Sequence, residues 1–325
     1  MIRRREFITL LGGAAGAWPL TAHAQQPVMP VIGLLGSQPP DDSVTAPVRR
    51  GLSQTGYVEG KNLAIEFRWA EGRYERLPSL VTDLIRRQVA VIVAVGGPAA
   101  RAAKAATTTV PIVFLVGVDP VTSGLVASIS RPGGNATGTS VTGRESNTKK
   151  FDLLCELVPK ATVIGLLVNP SNPYHETYTR DIKAAASGVG RQILDLNVTT
   201  ESDLDITFAS LRQQHADGLV ITDEPLFLTL REQLVALAAR DKIPTIYPYR
   251  EFVHAGGLIS HGANRADGCR QVGIYAGRIL KGDQPSDLPV LLPSKFETVL
   301  NLKTATALGL NVPTATLLRA DEVIE

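Results

Sequence analysis

Two pairs of adjacent carboxylates, Asp41-Asp42 and Asp223-Glu224, each follow a short apolar run. Paired acids at a strand end can do general acid–base work, or they can hold a cation such as an ammonium group. Asp41-Asp42 stands just before Ser43 and fits a helix cap, because the peptide dipoles at a helix start favour negative charge. Asp223-Glu224 fits a ligand group and a helix cap equally well. The other ingredients of catalysis are missing. Gly56-Tyr57-Val58-Glu59-Gly60-Lys61 superficially resembles a phosphate loop, but only three residues separate its glycines and Asn62 stands where a magnesium ligand needs Ser or Thr. It also precedes a strand pattern, so it reads as a turn. His175, His215, His254 and His261 lack metal-ligand spacing, and there is no nucleophile elbow and no dinucleotide-binding glycine pattern. The sequence therefore assigns no catalytic residue, no metal and no cofactor.

Polar groups suited to holding a solute do occur at strand ends. Ser37-Gln38 follow the first apolar run and Gly96-Gly97-Pro98-Ala99-Ala100 the third. There the glycines admit close backbone approach, and free amides at a helix start suit a carboxylate. Asp119-Pro120 end the fourth run, where a carboxylate could pair with an ammonium group. Asn169-Pro170-Ser171 end a later one and fit a turn as well as a binding loop. Tyr247 and Tyr249 fit packing as well as stacking on a ligand.

The elements that must position these groups alternate regularly. Val31 to Leu35, Leu63 to Phe67, Val89 to Val95 and Pro111 to Val116 read as strands, with helices between them. Unbroken apolar runs suit strands covered by helices on both faces, hence a parallel sheet and the α/β class. A Pro-, Gly-, Asn- and Thr-rich stretch from Arg131 to Thr142 interrupts the rhythm and reads as a passage between domains. The alternation then restarts through Val163 to Val168, Ile193 to Leu196, Gly218 to Thr222 and Pro244 to Tyr247. Two doubly wound lobes follow, with a ligand cleft between them. The expected division is 28–140 with 251–285 for the first lobe and 141–250 with 286–325 for the second.

Bulk properties narrow the function. The chain has 325 residues and a formal charge of +2, with no clustered basic surplus to suit nucleic acid. Its two cysteines, Cys155 and Cys269, read as separate buried thiols. Arg3-Arg4-Arg5, an apolar stretch from Phe7 to Ala17 and the small-residue end Ala22-His23-Ala24 form an export signal over 1–24, cleaved near Ala24. Its apolar part falls short of the ~20 residues a membrane span needs. Arg4-Arg5 with Glu6-Phe7-Ile8 also resembles the twin-arginine signal.

Several stretches carry a family likeness: Gly56 to Leu63, Ala70-Glu71-Gly72, Gly117-Val118-Asp119-Pro120-Val121, Arg131 to Gly138, Leu280-Lys281-Gly282 and Arg319 to Glu325. In that order the chain resembles the solute-binding proteins of ABC transporters, in the family that includes tryptophan- and tyrosine-type binding proteins. The resemblance implies a type-I periplasmic binding fold with three crossings between lobes. It implies a monomer working in the periplasm, without catalysis, that hands an amino acid or related organic acid to a membrane permease. A sensory binder signalling to a membrane receptor is the alternative. By position the ligand contacts fall on Ser37, the backbone of Gly97, Pro98 and Ala99, Asp119, Asn169 and Asp223. Many relatives carry Tyr where this chain has His261, a departure bearing on which amino acid is bound.

Overall fold

The computed structural model describes residues 29–141 and 146–325, so the export signal expected over 1–24 and its expected cleavage point lie outside the described residues. The first sheet holds β1 (Val31–Gly36), β2 (Ala64–Trp69), β3 (Val91–Val95), β4 (Ile112–Val116) and β5 (Ala136–Ser140), in the order β2-β1-β3-β4-β5 and all parallel. Helices α1 (Asp42–Gln54), α2 (Leu77–Arg86) and α3 (Gly97–Ala106) connect them. Strands β3 and β4 are buried along their whole length, which is why VIVAV and IVFLV carry no polar alternation.

The chain then crosses to α4 (Ser146–Leu157), β6 (Val163–Val168), α5 (His175–Gly188), β7 (Gln192–Asn197), α6 (Leu204–Gln213) and β8 (Gly218–Ile221). It continues through α7 (Pro225–Thr229), α8 (Arg231–Arg240), β9 (Thr245–Tyr247), α9 (Arg250–His254), β10 (Ile259–Ala263) and α10 (Arg265–Leu280). The end supplies β11 (Phe296–Asn301), α11 (Leu302–Ala307), α12 (Thr314–Arg319) and β12 (Glu322–Ile324). The second sheet runs β12-β11-β10-β9-β8-β6-β7, parallel except where β11 meets β10. The fold is thus α/β with two lobes built on largely parallel sheets.

The passage between lobes is shorter than the sequence reading has it, and two lobe boundaries differ. Ala136 to Ser140 is the edge strand β5, held by β4 on one side and by the Thr137 hydroxyl donating to the Leu288 carbonyl at 2.6 Å, and the crossing comes after it. Residues 251–263 belong to the second lobe, because β10 pairs with β9 and β11; the return crossing is at Asn264, which caps α10 through the Asp267 amide at 3.0 Å. Residues 288–291 stay on the first lobe: the Val290 amide donates to Ile129 and the Leu291 amide to Gly138. The chain therefore crosses three times, in the stretches 141–146, 263–265 and 291–296.

Helix α10 returns to lie along α1. A Cβ on Gly273 would stand 2.2 Å from the Val48 carbonyl oxygen, so the two backbones nearly touch and α10 is fixed on the first lobe. The turn from Gly56 to Asn62 is closed by the Asn62 side chain, which accepts from the Val58 amide and donates to the Gly56 carbonyl. The two thiols are free and separate, Cys269 buried and Cys155 partly so. Among the described residues, no helix is long and apolar enough to cross a membrane.

Candidate functional site

The carboxyl ends of β1, β3 and β4 face the carboxyl end of β8, and a cavity lies between them with an empty volume of about 410 Å³, its open mouth included. Strand ends of this kind leave backbone groups and short loops to bind ligands. The first lobe contributes Gln38, Gly96, Gly97 and Leu115 to Gly117; the second contributes Asp223 to Pro225, Leu228 and Tyr249. Arg265, the first residue of α10, completes the wall where the chain returns to the first lobe.

The lobes are closed on each other. A Cβ on Gly97 would come within 2.8 Å of the Tyr174 ring, and one on Gly117 within 1.9 Å of Asp223 Oδ2. Tyr174, from the second lobe, packs into the first lobe's core with Ala99 and Ala100.

The charges are specific. Burial pushes the Asp223 carboxyl above the usual range; the Tyr249 hydrogen bond and the nearby Lys150 and Arg265 pull it back only in part. Arg265 is 7% exposed and its Nη1 reaches the Ser43 hydroxyl at 3.4 Å. Lys150, 2% exposed, has its ammonium pushed down to about 8 by burial, against the attraction of Asp223. Gln38 is 3% exposed and its Nε2 finds no hydrogen-bond partner among the described residues. An orphaned donor in a cavity wall is costly unless an acceptor arrives.

Of the residues expected from sequence, Gly97 and Asp223 line this cavity. The Ser37 hydroxyl lies behind it and accepts from the Ala99 amide at 3.1 Å. With that amide occupied and Pro98 having none, the helix start offers an incoming carboxylate less than its sequence suggests. Asn169 lies behind Glu224, donating to Oε1 at 3.1 Å. Asp119 is absent from the cavity wall: its Oδ1 accepts from the Val121 and Thr122 amides at 2.8 and 2.9 Å, capping the following turn. The pair Asp223-Glu224 divides its roles. Both line the cavity, but the Glu224 carboxylate is already engaged in capping α7, whereas Asp223 is not a cap. Tyr249 joins the wall, whereas Tyr247 is buried and stacks on Phe252. His261 lies outside the wall, bonded to the Thr298 hydroxyl at 2.9 Å and stacked on Phe296, with its ring pushed down to about 4, burial being the main cause. Gln38, named with Ser37 from the sequence, and Arg265, which was not, complete the polar set of the wall.

Two lobes, three crossings and a charged cavity closed between them define a hinged binding protein. Residues 34–324 match the family model described as ABC transporter substrate binding protein, and the chain belongs to that family. It is 28% identical over 261 residues to a tyrosine-binding protein of Clostridioides difficile (strain R20291), covering 80% of this chain and 75% of the relative. Among solved structures it is similar to an ABC domain in complex with L-Trp from Streptococcus pneumonia, with TM-score 0.82 and 25% identity over 91% of this chain and 99% of that one. A ligand-free, open substrate binding protein with adhesive properties from Clostridium difficile covers the same shares at 26% identity but with TM-score 0.62. Near-equal identity with unequal superposition fits the closed lobe arrangement seen here.

Proposed function

We propose that this chain is the extracytoplasmic solute-binding component of an ABC transporter, and that it captures an amino acid or a close organic-acid relative and delivers it to a membrane permease. The observation that carries the reading is that a desolvated carboxylate, Asp223, and a buried guanidinium, Arg265, both line the same cavity between the lobes. Asp223 suits an ammonium group. Arg265, with the orphaned Gln38 Nε2, suits a carboxylate, since a guanidinium presents a fork of donors matched to two oxygens. Val95, Leu115, Val116, Val141, Pro225 and Leu228 give the wall an apolar part that suits a side chain.

The L-Trp bound by the solved relative and the tyrosine named for the curated one support an α-amino acid as the solute. The direct contacts are assigned to Gly97, Asp223, Arg265 and Gln38, with Ser37, Pro98, Ala99 and Asn169 supporting the loops that carry them. The export signal read over 1–24 supports action outside the cytoplasm.

Native mass spectrometry of protein purified from the periplasm, followed by a thermal-shift panel of amino acids and simple carboxylates, tests the assignment. A ligand at a hundredfold excess over its Kd raises apparent stability by about 2.7 kcal/mol. Saturable stabilisation with the solute recovered unchanged is expected; consumption of the solute, or stabilisation by none of the panel, would overturn it.

A further inference from the structure

The second carboxylate of the acidic pair is already occupied. Glu224 is 3% exposed, and its oxygens accept from Asn172 Nδ2 at 2.5 Å, Asn169 Nδ2 at 3.1 Å and the Leu226 amide at 3.4 Å, all within the second lobe. A further donor is the Tyr74 hydroxyl, from the turn leading into α2 on the first lobe. We infer that the Tyr74–Glu224 hydrogen bond is the latch that sets how firmly the lobes stay closed, with Glu224 acting as a positioning residue and not as a ligand group.

Opening the cleft must separate Tyr74 from Glu224, because they belong to different lobes, while the two asparagines and the Leu226 amide travel with the carboxylate. Water then replaces the tyrosine at no loss. In the closed state Glu224 is 3% exposed, and a buried carboxylate short of a donor is costly. Removing one hydroxyl should therefore penalise the closed state alone.

The latch rests on the hinged-lobe architecture and does not depend on which solute is bound. Tyr74→Phe keeps the ring, and Glu224→Gln keeps the shape while replacing one acceptor oxygen with an amide that meets another donor. Single-molecule energy transfer between fluorophores on the two lobes, with Cys155 replaced by serine, reads the closed-to-open ratio without solute. That ratio should fall about tenfold in Tyr74→Phe and at least as far in Glu224→Gln, a factor within the range of a buried hydrogen bond. For L-tyrosine as the probe solute, dissociation should quicken by a similar factor with association little changed. A wild type with no closed population, or a Tyr74→Phe protein with the wild-type ratio, would overturn the latch. Loss of L-tyrosine binding with a normal ratio would instead count against the choice of solute.

Discussion

Gly117 of the first lobe and Asp223 of the second meet so closely that a Cβ on the glycine would stand 1.9 Å from the carboxylate oxygen. The contact exists only when the lobes are shut, so Gly117→Ala should obstruct closure while leaving each lobe's core intact. Solute affinity is expected to fall at least tenfold by calorimetry, with the ligand-free unfolding midpoint within a few degrees of wild type. Unchanged affinity would mean that binding does not require this degree of closure.

Asp223→Asn should abolish discrimination between an amino acid and its deaminated analogue. An ionised carboxylate holding an ammonium group is worth about 1.5–3 kcal/mol, so the amino acid should lose at least tenfold in affinity and the analogue should lose little. The same carboxyl must be ionised to act. Because burial raises its folded value, wild-type affinity should decline on acidification at a pH above the ordinary carboxylate range, and titrations across pH 4 to 7 will locate that decline.

His261 should set part of the acid limb of stability. Its ring is lowered from 6.5 to about 4, so between those values the unfolded chain holds a proton that the folded chain does not. Stability therefore falls as pH drops through that window and is unaffected above it. The partial exposure of the ring trims the effect to on the order of 2 kcal/mol. His261→Gln, compared with wild type by urea unfolding at pH 8 and pH 4.5, should match it at the first and exceed it at the second. Parallel curves would assign the acid limb elsewhere.

The α1–α10 crossing makes a prediction about stability without function. Gly273→Ala forces its methyl against the Val48 carbonyl, a backbone atom that cannot rotate away. Overpacking of this kind costs roughly 1–3 kcal/mol. A lowered midpoint with near-normal solute affinity is expected in the fraction that remains folded.

Much of the fold was legible because strands such as Val91–Val95 and Ile112–Val116 are buried on both faces and therefore spell continuous apolar runs. Ala136–Ser140 was not, since an edge strand of Ala, Thr, Gly and Ser is held by backbone pairing and a hydroxyl bond and carries no apolar signal. The return crossing at Asn264 was hidden because one capping residue separates β10 from α10. Of the residues expected from their place at strand ends, Gly97 and Asp223 line the cavity. Arg265 also lines it and was not singled out, although a cation at the first position of a helix opposes the helix dipole and so calls for another reason to be there. Asp119 misled for the opposite reason. Asp-Pro-Val-Thr at a strand end is also a turn-capping sequence, and that is the use the chain makes of it.

If the cleft closes on an amino acid held at Asp223, the protein must tell that amino acid from the same molecule without its ammonium group. Calorimetric titration of the exported protein with L-tyrosine, L-tryptophan and the other standard amino acids, each beside its deaminated analogue, tests it most directly. Saturable one-to-one binding of at least one amino acid is expected, with its analogue bound at least tenfold more weakly. Heat from none of the amino acids, or equal affinity for amino acid and analogue, would contradict it.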